Sequence, residues 1–230
     1  MRIAVDWRKA LGDAPAEVTE LRAIFSLPKL AASTSRDELA ATAANLLTAL
    51  AAPPAEILQG LDALTAEGTV AARLLQLVRS RGWSSLGQCT TDDETTAFAL
   101  CRDEPAIAAV RIEHGEGLLA RLYARLVHAS LLIEALTERR LQAGLQQGVG
   151  WGVASLPTSR GTLLHHASTK DGVVSIYEIV APTDINFVPD GPAARALQNL
   201  VRQAKDDIEL PARLLIEAFD PCTSYSLRVH

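Results

Sequence analysis

The metal-ligating side chains of this chain are few: three cysteines, Cys89, Cys101 and Cys222, and five histidines. A thiolate binds soft metals well and a phenol poorly, so interest falls on Cys222, within Asp220-Pro221-Cys222-Thr223-Ser224-Tyr225. The competing role for any such cysteine is a small buried core residue. No Cys-x-x-Cys pair occurs, and Cys89 and Cys101 lie well apart, which argues against a disulfide framework and reads both as structural. His165 and His166 are neighbours, and in a strand they face opposite sides, so they cannot line one pocket together. His165 reads as a hydrogen-bonded structural residue, and His114 and His128 as surface or core residues without a partner at metal spacing. His230 reads as a frayed terminus. There is no glycine-rich dinucleotide or phosphate loop, no nucleophile elbow and no His-Glu-x-x-His. Gly148-Val149-Gly150-Trp151-Gly152 is rich in glycine but lacks the required spacing.

The elements that must position Cys222 are mostly helical. Apolar residues make up 48% of the 230-residue chain and aromatics only 4%; alanine and leucine dominate, which favours helices. The length suffices for a sizeable core. Net charge is −5, and nothing in the composition suggests a nucleic-acid partner, which would want a basic face. Arg121, Arg125, Arg139 and Arg140 read as a solvated helix face. The opening Met1-Arg2-Ile3-Ala4-Val5-Asp6-Trp7-Arg8 lacks a signal-peptide pattern and no run is long enough to span a membrane, so a cytoplasmic protein without membrane insertion is expected.

Residues 1–34 read as short helices and connections broken by Gly12, Pro15 and Pro28. Ser35-Arg36-Asp37-Glu38 is a capping-box pattern opening a helix. Pro53-Pro54 ends it and starts a second that runs to about Glu67; a third covers about Thr69–Arg81. Thr96–Cys101 and Ala106–Ile112 read as two strands of a hairpin. The strongest helix spans about Leu118–Leu141, with Leu118, Leu122, Leu126, Ile133 and Leu136 along its stripe. Beyond it Gly144, Gly148, Gly150 and Gly152 mark a loop. Thr162–Ser168 and Val173–Val180 form a hairpin around Asp171-Gly172, and Ala181–Pro192 is turn-rich before a helix at about Ala193–Ala204. Arg213–Val229 reads as two extended pieces meeting at Asp220-Pro221.

Four separated segments carry a resemblance to the large subunit of nickel–iron hydrogenases. Pro157-Thr158-Ser159-Arg160-Gly161-Thr162-Leu163-Leu164-His165 is similar to a segment reading roughly Pro-Arg-Gly-x-Leu-x-His, and the Lys170-Asp171-Gly172 hairpin resembles the turn after it. Val180-Ala181-Pro182-Thr183-Asp184-Ile185-Asn186-Phe187 resembles Val-x-Pro-Thr/Ser-x-x-Asn-Phe. Asp220-Pro221-Cys222 resembles the start of Asp-Pro-Cys-x-x-Cys, with Tyr225 at the second cysteine position. The four occur in family order within residues 150–230. Ala4–Gly12 also resembles an internal stretch of that family, which implies that the region bearing its first cysteine pair is missing here.

The resemblance implies an α+β, mostly helical fold: a helical bundle with a small antiparallel sheet, like the hydrogenase large subunit. It is expected as a single domain over 1–230, with 1–142 mainly helical and 143–230 holding the hairpin and metal motif. In the family, an iron carrying cyanide and carbon monoxide sits beside nickel on four cysteines from two Cys-x-x-Cys pairs. Three of those thiolates have no counterpart here, so no nickel is expected. The groups lining the diatomic ligands do carry over, onto Arg160, Pro182 and Thr183, with Asp220 beside the arginine. A guanidinium and a hydroxyl donate to the charged cyanide nitrogen, and Pro182 offers carbon monoxide an apolar wall. Cys222 is the remaining metal ligand, although its family counterpart contacts nickel. Thr158 and Ser159 depart from the pattern, separating Pro157 from Arg160.

The combination is similar to the HupK/HoxV-type accessory proteins of hydrogenase maturation. It implies a non-enzymatic scaffold or chaperone that transiently holds the iron–cyanide–carbonyl unit, with maturation proteins and the large-subunit precursor as partners. Two alternatives stand beside it: a metal-free interaction protein that mimics the large subunit, and a degenerate hydrogenase subunit that takes ligands from another chain.

Overall fold

The computed structural model describes residues 3–6, 35–65, 68–89, 92–138, 143–204 and 208–229. The readings of 7–34, of Arg139 and Arg140 and of His230 lie outside the described residues.

Helix α1 (Arg36–Leu50) opens on the expected capping box: Glu38 N–H donates to Ser35 Oγ at 3.2 Å and Ser35 N–H to Glu38 Oε2 at 2.8 Å. Helix α2 (Pro54–Gln59) starts with proline at its first turn. It is shorter than expected, because Gly60 turns the chain at φ 146° into a 3-10 helix, Leu61–Thr65. Helix α3 (Val70–Ser80) follows, capped by Thr69.

The expected hairpin at 96–112 is instead two helices, α4 (Ala97–Leu100) and α5 (Pro105–His114). Pro105, read as the link between strands, stands in the first turn of α5, where its missing N–H costs nothing. Burial of Phe98, Ile107 and Val110 decides short apolar runs whose periodicity alone does not.

Helix α6 (Leu118–Thr137) is the hub, and α1, α2, α3, α4 and α5 all pack against it. From Leu118 to His128 every side chain is buried, including Arg121 and Arg125. These two arginines are therefore not a solvated face: a helix apolar on all sides is an interior helix, and any arginine on it must be paired. Arg121 donates to Glu94 Oε2 at 2.8 Å and to the Cys89 carbonyl at 2.9 Å, and its guanidinium lies over Phe98 and Phe219.

An antiparallel sheet follows in the order β2 (Gly144–Gly148), β3 (Trp151–Thr158), β4 (Gly161–Lys170) and β5 (Val173–Val180). The hairpin at Asp171-Gly172 is as expected, with φ 54° and 76° at the two turn residues. The glycine-marked stretch expected as a loop is instead β2 and β3, with Gly144 paired to Ser155 and Gly148 to Trp151. Every residue of the edge strand β5 is exposed, including Val173, Val174, Ile176, Tyr177 and Ile179.

Helix α7 (Pro182–Asn186) lies inside the segment read as turns, and α8 (Pro192–Gln203) follows as expected. The extended reading of 213–229 holds only at its end. Helix α9 (Glu209–Ala218) carries a buried face of Ala212, Leu214, Leu215 and Ile216, and β6 (Ser226–Val229) pairs antiparallel with β1 (Ile3–Asp6). The fold is thus α+β and mostly helical, with a small antiparallel sheet. Among the described residues no helix is long and apolar enough to cross a membrane.

Candidate functional site

Three turns meet at the candidate site. The first is the β3–β4 hairpin tip. Thr158 pairs with Gly161, leaving Ser159 and Arg160 as a two-residue loop; Thr158 Oγ1 donates to Gly161 O at 2.8 Å and accepts from Arg160 N–H at 3.3 Å. Thr158 and Ser159, the departure from the family spacing, therefore build the turn that presents Arg160. Gly161 is needed there: at φ +129° its place for a Cβ lies 1.9 Å from Thr95 O and 3.2 Å from Pro182 Cβ. The hairpin thus seats on the Thr95 backbone, which Asn186 Oδ1 holds by accepting the Thr95 N–H at 2.9 Å.

The second turn is the start of α7. Pro182 is buried in its first turn, and Asp184 Oδ2 accepts the Ala181 N–H at 2.9 Å. Thr183 Oγ1 accepts the Cys222 N–H at 3.0 Å, which ties α7 to the third turn. That bond uses a lone pair of the hydroxyl and leaves its O–H free to donate.

The third turn follows α9. Asp220 takes φ 52°, a left-handed conformation that aspartate tolerates better than most residues. Its two carboxylate oxygens are shared between two arginines: Oδ2 lies 2.9 Å from Arg125 Nη2 and Oδ1 lies 3.6 Å from Arg160 Nε. The Arg160–Asp220 pair expected from sequence is present as an ion pair. The Arg160 side chain is 48% exposed, so in isolation the pair is worth about 1 kcal/mol or less. Cys222 is exposed, two residues further on.

Arg125 is the member the sequence reading missed. It is buried, and it also donates from Nη1 to Glu217 O at 2.7 Å. Burial lowers its proton affinity, opposed by the Asp220 and Glu217 carboxylates, and Arg160 across Asp220 lowers it further. The guanidinium stays charged. The signal was available: two arginines one turn apart in an unbroken apolar helix must each find an acid. Beside it His128 is buried, and burial holds its imidazole below the usual histidine range, opposed by the Ser159 backbone.

The other candidates fall elsewhere. Tyr225 is buried and donates to Glu217 Oε1 at 2.7 Å, so this position serves packing rather than ligation. Cys101 is buried at the end of α4, and burial, reinforced by Glu104, pushes its thiol up to about 12. His165 Nδ1 lies 2.8 Å from the Tyr177 hydroxyl, a structural contact as expected. His166 stands between Ser168 Oγ at 3.3 Å and Glu178 Oε2 at 3.2 Å. This row runs from β4 to the edge strand β5, where His166 is the ladder partner of Glu178. Among the described residues no group of three or more His, Cys, Asp or Glu side chains could hold a metal ion. The site combines one exposed thiol with guanidinium and hydroxyl donors.

Known proteins are similar to parts of this chain. The chain is 37% identical over 124 residues to the hydrogenase expression/formation protein HupK of Azotobacter vinelandii, covering 54% of this chain and 34% of that protein. It is 37% identical over 134 residues to HupV of Azotobacter chroococcum mcd 1, covering 56% and 36%, and 32% identical over 121 residues to HoxV of Cupriavidus necator, covering 46% and 32%. The chain resembles the hydrogenase expression/formation proteins. The aligned regions span about a third of the length of these relatives. No protein-family model matches. Among solved structures, a [NiFeSe] hydrogenase G491S variant from Desulfovibrio vulgaris Hildenborough is similar with a TM-score of 0.43 and 24% identity, over 56% of this chain and 34% of that one.

Proposed function

We propose that this chain is a non-enzymatic accessory protein of nickel–iron hydrogenase maturation. Its cargo is an iron carrying cyanide and carbon monoxide, held transiently and passed toward the large-subunit precursor. The observation that carries the reading is the convergence on Asp220: Arg125 and Arg160 share its carboxylate, while the neighbouring Cys222 is tied through its N–H to Thr183. Three segments distant in sequence thereby contribute one thiol, a half-exposed guanidinium and a hydroxyl with a free proton.

In this reading the Cys222 thiolate is the protein's one bond to iron. Arg160 and the Thr183 hydroxyl donate to cyanide nitrogens, and charge-assisted bonds of this type are about twice as strong as neutral ones. Pro182 forms the apolar wall for carbon monoxide. A single thiolate suits handover, because one exchange of ligand releases the cargo. No nickel is bound.

Iron content of protein purified from a maturation-competent host tests this. Cys222→Ala should lose the iron and Cys89→Ala should keep it; equal iron in both would remove Cys222 from the site. The exposed apolar strand β5 favours a second reading, in which the chain is a metal-free interaction protein occupying a maturation partner. Stable co-purification with maturation proteins, without iron, selects that reading.

A further inference from the structure

We propose that Arg125 is a positioning residue for the cargo site. It seats Asp220, and Asp220 seats Arg160. The inference rests on the iron reading only for what Arg160 faces; the linkage of the three side chains stands without it.

Arg125 has no freedom to do otherwise. It projects from the interior helix α6, and both ends of its planar fork are used: Nη1 on the Glu217 carbonyl at 2.7 Å and Nη2 on Asp220 Oδ2 at 2.9 Å. The first bond falls on a carbonyl in the last turn of α9 that also accepts the Asp220 N–H at 3.0 Å. The second acts on the residue immediately after that helix, Asp220 at φ 52°. One rigid guanidinium therefore joins the end of α9 to the loop that carries Cys222.

Arg160 has the opposite character. It lies at the tip of a two-residue turn, its side chain 48% exposed, and among the described residues its one ion-pair partner is Asp220. A long exposed side chain keeps most of its rotamer freedom unless its partner is fixed. Because Asp220 gives one oxygen to each arginine, fixing Oδ2 on Arg125 sets the direction of Oδ1, and so the place where Arg160 Nε rests. Arg160 in turn lowers the proton affinity of Arg125, so the two cations feel each other across the carboxylate. Lysine cannot replace Arg125, since a single ammonium does not reproduce the planar fork that spans both acceptors.

The test is the order of the Arg160 side chain, read from 15N relaxation of its Nε–H by NMR on the whole 15N-labelled chain, with protection of the α6 backbone amides as the folding control. In Arg125→Lys the Arg160 Nε–H should become markedly less ordered while the α6 amides stay protected. Asp220→Asn, which leaves the bond from Arg125 to Glu217 in place, should lower its order equally. The double variant should add nothing. Unchanged order in folded Arg125→Lys overturns the proposal. If that variant does not fold, order persisting in Asp220→Asn overturns it instead, because Asp220 is then not the relay. In iron-loaded protein, Arg125→Lys should shift the cyanide bands while Cys222 is intact. Wild-type protein that carries no iron refutes the iron reading and leaves the relaxation result to decide the linkage.

Discussion

Gly161→Ala is the sharpest test of how the hairpin tip is held. At φ +129° an L-residue is strained, at about 1–3 kcal/mol for a sparsely populated backbone region. The new Cβ would also lie 1.9 Å from the Thr95 carbonyl oxygen. Backbone cannot yield as a flexible side chain can, so the hairpin must lift, at a further cost of about 1–3 kcal/mol by analogy with overpacking. The total is about 2–6 kcal/mol, a large part of the stability of roughly 5–15 kcal/mol usual for a domain. Gly172→Ala is the matched control. It also has positive φ, 76°, but nothing lies within 4 Å of its added Cβ, so only a left-handed penalty of about 1–2 kcal/mol applies. Urea unfolding followed by circular dichroism measures both. Lifting the hairpin also moves Arg160 from Asp220, so Gly161→Ala should lower iron content and Gly172→Ala should not. Equal stability loss in the two variants would refute the seating of the hairpin on Thr95.

Other perturbations probe the rest of the account. Arg121→Met strands the buried Glu94 carboxylate, whose partner now lies at 2.8 Å; a loss of about 3–5 kcal/mol is expected in denaturant unfolding, and a loss typical of a surface pair would mean the ion pair is hydrated. Tyr225→Phe leaves a Glu217 oxygen without its 2.7 Å donor, so it should cost about 1–3 kcal/mol while iron content is retained; loss of iron at unchanged stability would restore position 225 to the metal site. His128 has a folded-state pKa held below the 6.5 of a free histidine by burial. The unfolded chain therefore binds its proton first. Its contribution is full above about 6.5 and is lost as pH falls through the folded pKa. Replacing His128 by Leu should flatten the fall of the urea midpoint as pH drops below about 6.5, and an unaltered slope would show that His128 does not titrate in this way.

Parts of the fold were legible because they are local patterns. The capping box at Ser35 and the Asp171-Gly172 turn each depend on a few adjacent residues. The buried arginines were not read correctly, because charge was weighed without the company it keeps on α6. Residues 96–112 misled for a related reason: runs of four to seven apolar residues fit a strand or a buried helix equally, and only tertiary packing chooses. Strands β2 and β3 were hidden by their glycines and by Gln146, Gln147 and Pro157, since they are held by pairing with neighbours rather than by intrinsic preference. The same holds for α9, whose leucines at 214 and 215 become helical by packing into the core. The convergence of Arg125, Arg160 and Asp220 joins residues 35 to 95 positions apart, and no local pattern encodes it.

The central claim is that the Asp220 cluster and Cys222 hold an iron that carries cyanide and carbon monoxide. Infrared spectroscopy of the wild-type chain, purified from a host able to make these ligands, addresses it most directly. The account predicts cyanide and carbonyl stretching bands that move when Arg160 is changed to Lys and vanish in Cys222→Ala. Wild-type protein without such bands, or bands that persist unchanged in Cys222→Ala, would contradict it.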